Sequence, residues 1–373
     1  MMQRRQPDNV KKRRWAFIII LLLAVVLAIV IIGAISRLNK PTESSAVRLP
    51  CLAGQNVTPF GDYVLYYDGM SIFCITTTGA LRWSYQIGAD ASFSASGNAV
   101  VAWAGSQICI LDQNGRPSYT DNLGQQVQLA RIGKRFAAAV IGEDTEPMLV
   151  IRDLNGAPVD EEAEAFSGRV MLDVGFYGED GQYIWTLSLD VFGTVSNTVL
   201  NTFEVGQMNT GVISLGEAIT YKVLYDTQKL RVMTTMQLRT FNYQGREDTS
   251  ATALVYGWKL IASETPEKGD TLMLLAPQTQ TTSQYSIREI RLLSGANDRR
   301  YTLPSSCVGA AIFKKNVYAF SSDYIYRTDM GAQRFSALNR PQNMEAPTDL
   351  LGMTANGCAL LACGDTVYAV TMP

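Results

Sequence analysis

The residue types on which most enzyme catalysis depends are scarce in this chain. Its 373 residues include no histidine. Histidine is the usual general base near neutral pH and the commonest metal ligand, so Ser-His-Asp sites, Cys-His sites and His-ligated zinc are excluded. Paired carboxylates could still hydrolyse glycans, although no motif supports such a site. We therefore expect no catalytic residues, no cofactor and no metal ligands.

Acidic residues are the remaining candidate metal ligands. They cluster as Glu143-Asp144, within residues 160–164, and as Glu179-Asp180. None of these clusters has the alternating oxygen-ligand spacing of a calcium loop, so we interpret them as solvated loops.

Aromatic residues are the candidate sugar-binding groups. Trp103, Trp185, Trp258 and the seventeen tyrosines could stack on sugar rings. Aromatic residues in strands mostly pack against their neighbours, however, so glycan binding remains an alternative rather than the leading expectation.

The six cysteines show no disulfide framework in their spacing, and most lie in predicted strands, which favours buried free thiols. They are Cys51, Cys74, Cys109, Cys307, Cys358 and Cys363. Pairing of Cys51 with Cys358 or Cys363 would have to reach across an intervening strand, which is too far for a disulfide.

The elements that position these groups begin with an uncharged apolar run at residues 15–36. As a helix it would extend about 33 Å, enough to cross a bilayer core of about 30 Å. Residues 1–14 carry six Lys or Arg and one acid, which predicts a cytoplasmic basic tail and an extracytoplasmic body. Residues 37–45 form a short polar linker. The alternative is a cleaved secretory signal, whose apolar region is usually shorter.

The charge balance beyond the apolar run restricts the partners. Residues 37–373 contain 26 Lys or Arg against 33 acids, a net charge of about −7. A negative body argues against nucleic-acid binding, which needs a basic face for phosphates.

A repeat of apolar runs and glycine turns occupies residues 46–373. Residues 62–86 and 98–121 both read as strand, tight turn, strand, glycine turn and strand. The turn glycines have a mean spacing of 42 residues, which is typical of β-propeller blades. We expect a positive φ at each of them. They are Gly79, Gly115, Gly156, Gly206, Gly245, Gly295 and Gly331.

The two ends of the repeat region are incomplete in complementary ways. The last unit, ending at Pro373, lacks the strand that follows the glycine turn elsewhere, and residues 46–52 form a strand without a partner. If residues 46–52 supply the missing strand, the ring closes and no sheet edge is left open. This arrangement predicts eight blades, with seven as the alternative.

The segment NAVVAWAGSQICILDQNGRPSYTDN resembles the repeats of quinoprotein-like and WD40-like β-propellers. The basic tail, single anchor, short linker and propeller together resemble a family of membrane-anchored propeller proteins of Gram-positive anaerobes, a domain of unknown function. In quinone-binding propellers a tryptophan recurs after each turn glycine. Here only Trp83 occupies that place, which argues against a bound quinone and dehydrogenase activity.

Three functions from different classes follow. The leading expectation is a membrane-anchored extracytoplasmic propeller that acts as a non-enzymatic protein-interaction or scaffold module of the cell envelope. The alternatives are glycan binding through exposed aromatics and a carboxylate-based glycan-active enzyme. Fold does not decide among them, and no binding residues can be named from the sequence.

Overall fold

The computed structural model describes residues 44–226, 229–242, 244–266, 269–278, 286–332 and 334–372. Within these ranges the chain is all β apart from two short 3₁₀ turns, Glu164–Phe166 and Thr249–Ala251. No helix of the described ranges is long and apolar enough to cross a membrane. The predicted tail (1–14), membrane helix (15–36) and most of the linker lie outside the described residues.

Five four-stranded antiparallel sheets follow one another along the chain, each in the order of its strands. Sheet 1 contains β2 (Thr58–Phe60), β3 (Tyr63–Tyr67), β4 (Ser71–Thr76) and β5 (Leu81–Gln86). Sheet 2 contains β6 (Ser92–Ser96), β7 (Ala99–Ala104), β8 (Gln107–Asp112) and β9 (Pro117–Asn122). Sheet 3 contains β10 (Val127–Ile132), β11 (Phe136–Glu143), β12 (Glu146–Asp153) and β13 (Pro158–Glu162).

Sheets 4 and 5 repeat this plan. Sheet 4 contains β14 (Arg169–Tyr177), β15 (Tyr183–Asp190), β16 (Asn197–Glu204) and β17 (Gln207–Gly216). Sheet 5 contains β18 (Thr220–Tyr225), β19 (Lys229–Thr234), β20 (Gln237–Asn242) and β21 (Ala253–Leu254).

The next sheet has seven strands, and we call it the long sheet. It contains β22 (Trp258–Glu264), β23 (Leu272–Pro277), β24 (Ile287–Ser294), β25 (Asn297–Phe313), β26 (Asn316–Ser321), β27 (Tyr324–Asp329) and β28 (Ser336–Asn339). The first part of β25 pairs mainly with β24, from Ser294↔Asn297 to Glu289↔Thr302. Its last part pairs with β26, from Cys307↔Ser321 to Phe313↔Asn316.

A closing sheet joins the two ends of the described chain. It combines β1 (Ala46–Leu52) with β29 (Asp349–Met353), β30 (Cys358–Cys363) and β31 (Thr366–Thr371), in the order β1-β31-β30-β29. The expected pairing of residues 46–52 with the last strand is confirmed by the antiparallel ladder from Ala46↔Val370 to Leu52↔Thr366.

The antiparallel order gives each sheet two distinct ends. The turn between the first and second strands and the turn between the third and fourth strands lie at one end, which we call the turn face. The turn between the second and third strands and the link to the next sheet lie at the other end, the link face. β1 begins at the turn face, since Ser45 accepts a hydrogen bond from Thr371 and Gly357 accepts one from Met372.

The second and third strands of each sheet are buried on both sides, which explains their nearly continuous apolar sequences. In β7, Val100 and Ala102 join a cluster with sheet 1, while Val101 and Trp103 join a cluster with sheet 3. Eight such clusters occur among the described residues. Seven join successive sheets in a closed circuit, and the eighth lies within the long sheet on either side of β25.

Two of the turn glycines, Gly115 and Gly156, receive an aromatic side chain from the preceding sheet. The Trp83 ring of sheet 1 lies so close to Gly115 that a β-carbon there would be 2.4 Å from it, and Trp83 Nε1 donates to the Gln113 carbonyl (2.9 Å). Tyr119 lies against Gly156 in the same way, with a corresponding distance of 2.0 Å. These glycines are therefore required by close packing as well as by φ values of 74° and 87°.

One of the seven turn glycines departs from the expected backbone. A positive φ is confirmed at the first six, but Gly331 does not have one. In the turn that contains Gly331, the Ala332 N–H donates to the Asp329 carbonyl. In the turn of sheet 2, the corresponding bond is donated by the Gly115 N–H to the Asp112 carbonyl. Gly331 therefore sits one position earlier in its turn than Gly115 does, where a positive φ is not needed.

All six cysteines are free and buried, as the sequence predicted. Burial raises the pKa of Cys51 to about 11 and that of Cys74 to about 12. Cys51 lies on β1, and β31 separates it from Cys358 and Cys363 on β30.

Candidate functional site

A strip of exposed apolar side chains crosses the link face of sheets 4 and 5. We define this apolar strip as Phe192, Ile219, Met236, Leu254 and Tyr256. These five residues are 50% to 72% exposed. Single exposed apolar residues are normal on a protein surface, but contiguous ones mark interaction sites.

Backbone hydrogen bonds show that Ile219, Met236 and residues 254–256 are neighbours although they lie up to 37 residues apart in the sequence. The Thr235 N–H donates to the Ile219 carbonyl (3.1 Å), and the Val255 N–H donates to the Met236 carbonyl (2.9 Å). Val255 itself is completely buried. Its neighbours Leu254 and Tyr256 are consequently held beside Met236 with their side chains exposed.

The Phe192 end of the strip is formed by the six-residue turn between β15 and β16. The Phe192 ring lies 3.2 Å from the position that a β-carbon on Gly168 would occupy. Thr198, at the start of β16, donates from Oγ1 to the Ala218 carbonyl (3.1 Å), which ties this turn to the link carrying Ile219. Val191 and Val195 in the same turn are 42% and 55% exposed and extend the apolar surface.

The Leu254 end is fixed by a buried arginine. Arg291 Nη1 donates to the Leu254 carbonyl (2.7 Å), while its Nε and Nη2 donate to the two carboxylate oxygens of Asp298 (2.9 and 2.8 Å). These bonds from Arg291 hold the pKa of Asp298 below its usual value. The strip is thus supported by ordered backbone at both ends, and its chemistry is that of an apolar contact surface rather than of a reaction site.

The structure does not bring together the acidic clusters singled out in the sequence. Among the described residues, no group of three or more Cys, Asp or Glu side chains is placed to hold a metal ion. Glu143, the last residue of β11, and Asp144, in the turn that follows, are both exposed. Glu161 pairs with Arg152 (3.3 Å).

The tryptophans are mostly internal. Trp103 and Trp185 are only 8% and 4% exposed, and Trp83 is packed on Gly115. Trp258 is half-buried, with the guanidinium groups of Arg291 and Arg300 lying 5.7 and 5.4 Å from its ring centroid. The exposed aromatics of the apolar strip are Phe192, which the sequence analysis did not select, and Tyr256, one of the seventeen tyrosines considered there.

A second region, on the turn face, contains two cavities whose linings adjoin along the chain at the end of β22. One has a volume of about 590 Å³ and is lined by the ends of β22, β25 and β29. The other, about 610 Å³, is lined by the first turns of sheets 2 to 5 and by Thr265 and Pro266. Both cavities open to solvent at the centre of the circuit of sheets.

No family model and no curated protein sequence matches the chain. Solved structures do match it. BamB from Moraxella catarrhalis has a TM-score of 0.52 at 11% identity, with 89% of this chain and 97% of that chain covered. Sqt1 from Saccharomyces cerevisiae has a TM-score of 0.55 at 12% identity, with 90% and 99% covered. AztD from Citrobacter koseri has a TM-score of 0.50 at 11% identity, with 78% and 87% covered.

The fold is a β-propeller. This conclusion rests on the likeness to these propeller structures together with the repeated antiparallel sheets and their closed circuit of apolar clusters. At 11% to 12% identity the likeness concerns the fold alone. The propeller expected from the sequence is confirmed, whereas the family of membrane-anchored propellers that the chain resembles is not.

Proposed function

We propose that this propeller is a protein-interaction module that docks a partner through the apolar strip. The observation that carries the proposal is that Phe192, Ile219, Met236 and Tyr256 are exposed on turns of the link face that hydrogen bonds hold side by side. A rigid surface loses little conformational entropy on binding, and exposed aromatic and methionine side chains are enriched where protein partners meet. We infer a partner that presents an apolar segment of its own.

We further propose an eight-bladed ring. Supporting this count, β25 completes one four-stranded unit through its first part and opens the next through its last part. The eight apolar clusters correspond to eight boundaries between such units. The long sheet then contributes two blades, the closing sheet one, and sheets 1 to 5 the remaining five.

The proposed setting is the outer side of a cell membrane, with residues 15–36 as a single-pass anchor and residues 1–14 in the cytoplasm. The apolar run and its basic flank support this proposal. A cysteine introduced at Ser44 should react with a membrane-impermeant maleimide on intact cells, since the native thiols are buried. A cysteine placed within residues 1–14 should react only after lysis. The reverse pattern would contradict the proposed orientation.

Site-specific photocrosslinking tests the docking surface. A photoreactive residue at Met236 or Phe192 should give a discrete protein adduct in cells, and the adduct should disappear when Tyr256→Ser is added. Leu81 provides a matched control, because it is 60% exposed but lies on β5 beside the glycine turn of the turn face. Equal adducts at Leu81 and Met236, or none at either, would overturn the proposal.

The glycan-binding alternative rests on the same exposed aromatics, Phe192 and Tyr256, and gives a different outcome. A soluble fragment of residues 44–373 that bound to a glycan array and lost this binding on Tyr256→Ser would favour it over a protein partner.

A further inference from the structure

A buried carboxylate oxygen without a partner lies at the mouth of the ring on the turn face. Glu264 is the last residue of β22 and lines one turn-face cavity, while the next two residues, Thr265 and Pro266, line the other. Its Oε2 is completely buried and finds no hydrogen-bond partner among the described residues. Leaving such an oxygen unsatisfied is costly, so the site is suited to a ligand group that donates a hydrogen bond.

The cavity beside Glu264 is lined largely by apolar side chains. Ile261, Ala311, Leu350 and Met353 contribute to its wall, together with backbone of the neighbouring strand ends. Lysine and arginine combine an apolar stem with a cationic head that donates hydrogen bonds. A side chain of this kind matches both the apolar wall and the single unsatisfied oxygen.

Lys314 also lines this cavity, but its ammonium group lies near the Phe313 ring instead of pairing with Glu264. Its Nζ lies 4.9 Å from the centroid of the Phe313 ring, and it makes no hydrogen bond to Glu264 Oε2. The Glu264 carboxylate therefore has no cationic partner among the described residues.

The adjoining cavity is lined by charged groups of both signs and by tyrosines. Its wall includes Tyr177, Tyr225, the acidic residues Glu179 and Asp226, and Lys134, whose Nζ donates to the Glu179 carbonyl (2.7 Å). Asp226 is paired with Arg231, whereas Glu179 is exposed. The net charge of about −7 on residues 37–373 favours the approach of basic segments to the domain as a whole.

We propose that the turn-face mouth binds a lysine or arginine side chain of a partner protein. The cationic head pairs with the Glu264 carboxylate, and the methylene stem packs on Ile261 and Met353. This inference rests on the proposed role as a protein-interaction module, but it assigns a second site on the face opposite to the apolar strip.

The proposal is tested by titrating the fragment of residues 44–373 with a capped Gly-Arg-Gly tripeptide. NMR chemical-shift changes measure the binding. The comparison peptide carries citrulline, which keeps the shape of arginine and removes its charge. We expect the arginine peptide to bind at least tenfold more tightly. Glu264→Gln should abolish the difference, and Met353→Ala should weaken the binding of the arginine peptide.

Glu217→Gln is the matched control, since it removes the same charge at an exposed position on the link face. It should leave the preference for arginine intact, as should Tyr256→Ser in the apolar strip. Equal binding of the two peptides, or equal loss in Glu264→Gln and Glu217→Gln, would overturn the proposed site. Crosslinking at Met236 would be unaffected by that result, so the two proposals fail separately.

Discussion

Ala46 lies directly opposite Val370, so the first and last described strands form one antiparallel ladder. The pairing places Leu49 and Cys51 in the apolar cluster shared with sheet 1, where they are 3% and 2% exposed. Residues 46–52 therefore close the ring both by hydrogen bonding and by burial.

Deletion of residues 46–52 should reduce the free energy of unfolding by at least about 5 kcal/mol. Loss of the buried Leu49 and Cys51 accounts for about 1.5 to 3 kcal/mol each, and each lost ladder hydrogen bond for about 1 kcal/mol. Urea denaturation followed by circular dichroism measures the change. Deletion of residues 37–43, which has the same length, is the control and should leave stability unchanged. An unaltered unfolding midpoint in the first deletion would contradict closure by β1.

Gly156→Ala should destabilise the domain more than the same substitution at Gly206. Both glycines have a positive φ, 87° and 81°, so each alanine should cost about 1 to 2 kcal/mol from the backbone alone. The space around them differs, because a β-carbon at position 156 would lie 2.0 Å from the Tyr119 ring and one at position 206 would meet nothing within 4 Å. Thermal unfolding of the two variants measures the difference. Adding Tyr119→Ala should remove the excess cost at position 156, and equal costs at both glycines would argue against the proposed packing role.

Arg231→Met should cost about 3 to 5 kcal/mol of stability. Arg231 is buried and its Nη2 pairs with Asp226 (3.2 Å) within sheet 5 and with Asp270 (2.7 Å) in the segment before β23. Its loss deprives the buried Asp226 carboxylate of this cation. Arg239→Met, which breaks the more exposed pair with Glu247, should cost about 1 kcal/mol or less and serves as the control. Chemical denaturation compares the two. If Arg231→Met costs no more stability than Arg239→Met, the ion pairs of Arg231 do not hold sheet 5 and the segment before β23 together.

Stability should fall as the pH is lowered through the acidic range. Hydrogen bonds from Arg239 and Arg291 lower the pKa values of Glu247 and Asp298 below their usual values. A carboxyl whose pKa is lower in the folded state than in the unfolded state stabilises the folded state. This contribution is fully present above the pKa of the unfolded state, about 4, and is lost as the pH falls through the pKa of the folded state. Urea titrations between pH 7 and pH 3 should show the loss. Asp298→Asn should reduce the slope of stability against pH, and an identical slope would argue against this linkage.

The second and third strands of each sheet could be predicted from the sequence because both of their sides are buried. In β7 and β23 this burial gives short continuous apolar runs, AVVAWA and LMLLAP. The first strands were not recognised, because they face the centre of the ring and are only partly buried. SFSAS in β6 contains no fully buried residue, so its sequence lacks the apolar pattern of a strand.

The candidate sites depend on tertiary structure in a way that the sequence does not reveal. Phe192, Ile219 and Met236 lie in separate turns, and only the order of the strands brings them to one face. Glu264 is one acid among 34, and its unsatisfied oxygen becomes apparent only when the surrounding strand ends are in place. Longer turns rich in exposed apolar residues, such as residues 191–196, were the available signal.

The ladder between β1 and β31 also constrains the order of events during synthesis. At about 5 to 20 residues per second, Val370 leaves the ribosome roughly 15 to 65 s after Ala46. Until then β1 is an unpaired strand, and the neighbouring sheet 1 has an uncovered apolar side. Nascent chains of this protein therefore expose an aggregation-prone edge until β31 has been made, and the pairing of β1 with β31 then closes the circuit of sheets.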